Sequence, residues 1–128
     1  MKYLGIDFGL RRLGLATSEG NLASPFKTIE VIGLKDATDK VSELSQKMSF
    51  EKVVIGLPEG KMGETVRGFI KALKKKGFEV ESADETLSSK QALDEMIKLN
   101  IPKKKRRIRD DIAAAIILQN WLDKLDNK

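Results

Sequence analysis

The chain holds 128 residues, the size of one ordinary domain, and its 41% hydrophobic content supplies a single core. It contains no Cys and no His, which excludes disulfides, thiol catalysis, cysteine zinc sites and imidazole general bases. Lys and Arg outnumber Asp and Glu by 24 to 19, and the resulting net charge of +5 leans toward polyanionic partners while leaving carboxylates, lysines, hydroxyls or hard metal ions to run any hydrolysis.

Residues Tyr3 to Phe8 read as a buried strand, aromatic and branched in content, that ends in an aspartate. Alternation puts Leu4, Ile6 and Phe8 on one face and Gly5 and Asp7 on the other. Gly9-Leu10 fits a two-residue hairpin turn with glycine first, and Leu13 and Leu15 alternate with Gly14 and Ala16 on the return strand. A carboxylate at such a strand end is costly to bury without a partner. Arg11 or Arg12 could supply it; the alternative is a cation or a reacting phosphate.

A third strand is expected over Phe26 to Ile32, after Pro25. Ala37, Val41, Leu44 and Met48 recur at helical spacing and predict an amphipathic helix over 36–48. The nearly continuous apolar run KVVIGLP, 52–58, predicts a parallel strand covered on both faces. Val66, Phe69, Ile70 and Leu73 mark a helix that Gly77 stops. A further strand over 78–85 ends in Asp84 and Glu85. Ser88 and Gln91 fit a capping box for a helix continuing through Ala92, Leu93, Met96 and Ile97. After Pro102 comes KKKRRIR, residues 103–109. Asp110 or Asp111 then caps a final helix whose apolar stripe is Ala114, Leu118, Trp121, Leu122 and Leu125. The order is that of an α/β domain over residues 1–128, an antiparallel meander extended by parallel strands.

No run approaches the roughly 20 apolar residues of a membrane span, and charges and glycines interrupt the N-terminus before a signal segment could form. The expectation is a cytoplasmic protein without membrane contact.

The acids collect at the ends of elements: Asp7 at the first strand, Asp84 and Glu85 at the last, Asp110 and Asp111 at the final helix. Ligands of open α/β sheets bind at the carboxyl ends of the strands. Carboxylates gathered there repel one another unless a cation neutralises them, and an all-oxygen donor set suits Mg²⁺ or Mn²⁺. Two such ions roughly 4 Å apart would support in-line attack on a phosphodiester, one activating water and the other stabilising the leaving oxygen. Each acid also has an ordinary reading as a cap or an ion-pair partner, and the basic runs at 71–77 and 103–109 have one as solvated faces. Their conjunction points to a metal-dependent nuclease.

The blocks GIDFGLRRLGLA, VVIGLP, DETLSS and DDIAAAIILQNWL resemble, in order and spacing, the YqgF/RuvX family. These are RNase H-like proteins named as pre-16S rRNA nucleases and as Holliday junction resolvases. The resemblance covers essentially the whole chain. It implies an RNase H-like fold, a five-stranded mixed sheet with the second strand antiparallel, flanked by helices. It implies Asp7, Glu85 and Asp110 as catalytic and Mg²⁺- or Mn²⁺-binding residues, with Asp111 a spare acid or cap. Nucleic-acid binding would fall to Arg11 and Arg12 and to Lys103, Lys104, Lys105, Arg106 and Arg107. Thr86 stands where the family has arginine, and the segment after Pro58 is several residues short. The implied partners are structured RNA, ribosomal precursor particles or branched DNA, bound by a monomer or weak dimer. A catalytically silent nucleic-acid-binding module of the same fold is the main rival, and an actin-like ATPase would need a chain more than twice as long.

Overall fold

The computed structural model describes residues 2–58, 60–84 and 110–126. The expected helix at Ser88 and the basic run 103–109 lie outside the described residues. Five strands, β1 (Lys2–Phe8), β2 (Arg12–Glu19), β3 (Leu22–Glu30), β4 (Lys52–Leu57) and β5 (Val80–Asp84), form one sheet in the order β3-β2-β1-β4-β5. β1 pairs antiparallel with β2 and parallel with β4, and β4 pairs parallel with β5, so β2 is the strand that runs against the others. This is the mixed sheet expected from the sequence.

The two faces carry separate cores. Leu4, Ile6, Leu13, Leu15, Val53 and Ile55 face α1 (Gly33–Met48) and α2 (Lys61–Lys75), which contribute Ala37, Val41, Val66, Phe69 and Leu73. The rings of Phe8 and Phe69 meet there at 5.0 Å. Tyr3, Ala16 and Val54 face α3 (Asp110–Asp126), which buries Ala114, Ile117, Leu118 and Leu122. Trp121 closes that layer with its ring edge-on to Tyr3 at 5.1 Å. Gln119 ties α3 to the β2–β3 hairpin: its Oε1 accepts from the Ala23 N–H and its Nε2 donates to the Asn21 carbonyl, both at 2.9 Å.

Four local expectations need correction. The glycine-first turn is not at Gly9-Leu10: residues 9–11 connect β1 to β2, and Gly9 is not among the left-handed residues. Glycine is required there because a Cβ would sit 2.7 Å from the Arg12 carbonyl oxygen. The glycine-first turn lies at Gly20-Asn21, where Gly20 has φ +69° and Glu19 pairs with Leu22. The third strand begins at Leu22 and runs through Pro25 instead of starting after it. It is an edge strand, and the register slips by one residue beside Pro25, two places where a missing N–H is tolerated.

The first helix begins at Gly33 rather than at 36. Its opening turn is exposed and so carries no apolar period. That turn is fastened by Asp36, whose carboxylate accepts the Ile32 N–H at 2.7 Å and pairs with Lys40. These bonds, the Ile32 N–H first, hold the Asp36 carboxyl below the usual carboxylate range. The last strand starts at Val80 rather than 78, because the Phe78 N–H is spent on the Leu73 carbonyl at the end of α2.

Candidate active site

Asp7 is the penultimate residue of β1, on the face that α3 covers, and is half-buried. Its register partner on β2 is Gly14. The first turn of α3 rests on that glycine: a Cβ there would overlap the Asp110 carbonyl and lie 2.7 Å from the Asp110 Cβ. A glycine inside a strand marks a close backbone approach, and here what approaches is the residue expected to act with Asp7. Gly5 does the same further along α3, where a Cβ would lie 2.7 Å from that of Leu118. Gly5 and Gly14, with Ala16 paired to Gly5, make a flat strip on which the helix lies close to the sheet. The strip sets the depth at which Asp110 reaches the carboxyl edge of β1.

Arg12, one of two residues read as partners for Asp7, places its Nε 2.8 Å from Asp110 Oδ2. Asp111 accepts the Ile112 N–H through Oδ1 at 3.0 Å, so its carboxylate also serves the local start of the helix. Both aspartates stand in the first turn of α3, where the helix dipole favours negative charge.

The pair opens onto a cleft of about 950 Å³. Gly9, Leu10, Arg11 and Arg12 line one wall and Glu30 to Gly33 the other, and Asp110 also lines the cleft. The walls are fastened together by the Val31 N–H, which donates to the Arg11 carbonyl at 2.9 Å. Both arginines expected to hold a polyanion therefore line the same cleft as an expected catalytic acid.

β5 brings Ala83 level with Gly56, and Gly56 follows Ile55, the partner of Ile6; Asp7 thus lies at the level of Ala83. Asp84 closes β5 one level further on. Glu85, Lys103, Lys104, Lys105, Arg106 and Arg107 lie outside the described residues. Among the described residues no group of three or more acidic, His or Cys side chains is gathered closely enough to hold a metal ion. Two of the three expected ligands, Asp7 and Asp110, are described.

In the sequence Gly14 stands out only as a position in the strand alternation, and its part in the site goes unseen. The signal available was LGLA itself, residues 13–16, a side-chain gap in an apolar strand.

A mixed five-stranded sheet with the second strand antiparallel, helices on both faces and acids at the carboxyl edge is the RNase H-like architecture of resolvases and nucleases. The fowlpox virus resolvase, solved with its Holliday junction DNA, superposes with a TM-score of 0.65 at 16% identity, covering 98% of this chain and 99% of that one. RuvC of T. thermophilus, solved with a Holliday junction substrate, gives 0.62 at 18% identity over 98% and 96% of the two chains. The chain belongs to the family described as RuvX, Holliday junction resolvase, whose model matches residues 1–124. A relative from Endomicrobium trichonymphae named "Putative pre-16S rRNA nuclease" is 38% identical over 133 residues, 95% of each chain. One of the same name from Clostridium tetani is 36% identical over the full length of both. No described helix is long and apolar enough to cross a membrane.

Proposed function

We propose that this protein is a metal-dependent nuclease that hydrolyses phosphodiester bonds of structured RNA and processes the 5′ end of pre-16S rRNA. The observation that carries this reading is the seating of Asp110 on Gly14, the register partner of Asp7. It brings two carboxylates separated by most of the chain to one strand edge, beside a cleft lined by Arg11 and Arg12.

The residues fit a divalent ion in two respects. The donors are oxygens only, the set that Mg²⁺ and Mn²⁺ favour, and Asp110 already accepts a cation, the Arg12 guanidinium, as a stand-in. Asp7, Glu85 and Asp110 would hold the metal. When bound, such ions activate water for attack and stabilise the leaving oxygen of the phosphodiester. The chain's own part is to hold the strand. Arg11, Arg12 and the run Lys103 to Arg107 take the phosphates, and the fastened walls of the cleft keep the backbone in register with the two carboxylates.

The rRNA assignment leans on the names of the curated relatives. Trimming an RNA end also needs one site, whereas symmetrical resolution of a junction needs two. Labelled rRNA precursors and DNA four-way junctions incubated with Mg²⁺, Mn²⁺ or EDTA test the proposal. Metal-dependent cutting of the RNA is expected. Preferred cutting of the junction would move the substrate to branched DNA, and tight binding without cutting under any metal would reduce the protein to a binding module.

The basic run gives a separate expectation. Each phosphate that a cation neutralises adds about 0.7 to 0.9 to the slope of log affinity against log salt. Neutralising Lys104, Arg106 and Arg107 together should therefore lower that slope by roughly 2 to 3. An unchanged slope in anisotropy titrations would make 103–109 a solvated face.

A further inference from the structure

The ion pair between Arg12 and Asp110 joins a residue proposed to bind phosphate to one proposed to bind metal. The two roles exclude each other at the same moment. A carboxylate neutralised by a guanidinium offers less charge to a divalent ion, and the two cations repel. The pair is well formed, at 2.8 Å, yet the Arg12 side chain is 52% exposed and that of Asp110 29%. Exposed ion pairs of this kind are weak and exchange readily. The competitor that suits a guanidinium best is a phosphate, which it meets in bidentate geometry. The cleft that would receive one is lined by Arg12 itself, next to Arg11.

From this geometry, and resting on the nuclease reading above, we infer that Arg12 is a latch on Asp110 that a substrate phosphate releases. In the free protein Arg12 occupies Asp110 and weakens metal binding there. A nucleic-acid phosphate entering the cleft draws Arg12 away and hands Asp110 to the metal. Arg12 is thus a positioning residue that couples the two binding events, and by linkage the coupling runs in both directions. The consequence is a protein that binds its metal more tightly when a phosphodiester is in place.

The test is Mn²⁺ affinity, measured by calorimetry and by paramagnetic resonance of the free ion, without any turnover. In the free protein Arg12→Gln should bind Mn²⁺ more tightly than wild type, on the order of fivefold, the factor that corresponds to removing a surface ion pair. Arg12→Lys, which keeps the charge, should stay near wild type. Arg11→Gln removes the same charge from the neighbouring residue and should also leave the affinity unchanged. With a saturating phosphorothioate RNA stem–loop, the gap between wild type and Arg12→Gln should close, since Arg12 has then left Asp110.

The latch is overturned if Arg12→Gln binds Mn²⁺ as wild type does, or more weakly, the latter making Arg12 a brace for Asp110. It is also overturned if Arg11→Gln tightens binding equally, or if the gap persists with RNA bound. A wild-type protein that binds no divalent ion with or without RNA would instead remove the metal-dependent reading from which the latch follows.

Discussion

Asp7→Asn should abolish cleavage, with a loss on the order of a thousandfold or more in single-turnover rate. The substitution keeps the shape of the side chain and the strand around it but removes the negative charge that would hold a metal at the end of β1. Metal ions supply several kcal/mol of transition-state stabilisation in such reactions, and about 1.4 kcal/mol corresponds to a tenfold change in rate. Binding of nucleic acid should be retained or tightened, because one fewer anion faces the phosphates. Cleavage assays and anisotropy on the same preparation check both halves, with circular dichroism to establish that the fold is intact. A variant that cuts at the wild-type rate would remove Asp7 from the site.

Gly14→Ala should have the second largest effect, and it acts without changing the chemistry of any group proposed to react. The added methyl overlaps the Asp110 carbonyl, which is backbone and can yield only if the start of α3 moves. Overpacking of this kind costs about 1–3 kcal/mol, which at this chain length lowers Tm by roughly 4–12 °C. The loss of activity should be larger than the loss of stability explains. Displacing a functional group by about 1 Å can cost a hundredfold in rate, and Asp110 is the residue displaced. Gly20→Ala is the control. Gly20 has φ +69° but open space around it, so the substitution strains the hairpin turn and leaves the cleft alone. Its Tm should fall while its cleavage rate at low temperature stays near wild type. If Gly14→Ala cuts normally well below its own Tm, the seating of α3 does not set the site.

The sheet was legible because its inner strands are written in strong signals. KVVIGL has no polar residue after its first, as a strand buried on both faces requires, and the alternation in LGIDF placed Asp7 on the face opposite Leu4 and Ile6. The β3 edge was harder to read for a physical reason. Most of its side chains are exposed, so neither period nor apolar content announced its start at Leu22, and Pro25 looked like a boundary. The first turn of α1 was hidden in the same way. Of the site, the acidic positions at element ends were legible one by one. What could not be read was distance. That Asp110 sits on the partner of Asp7, and that Arg12 turns to Asp110, are facts of tertiary structure between segments some hundred residues apart, and no local spacing encodes them.

That separation has a consequence for when activity can arise. Asp7 is made before Asp110, on a hairpin that pairs with itself, and Asp110 follows 103 residues later. At roughly 5–20 residues per second of synthesis, the face bearing Gly5 and Gly14 waits uncovered for about 5 to 20 seconds, and half of the proposed catalytic pair does not yet exist. On the proposed reading, a nascent chain therefore cannot cleave the nucleic acid around it until α3 has been made and has docked.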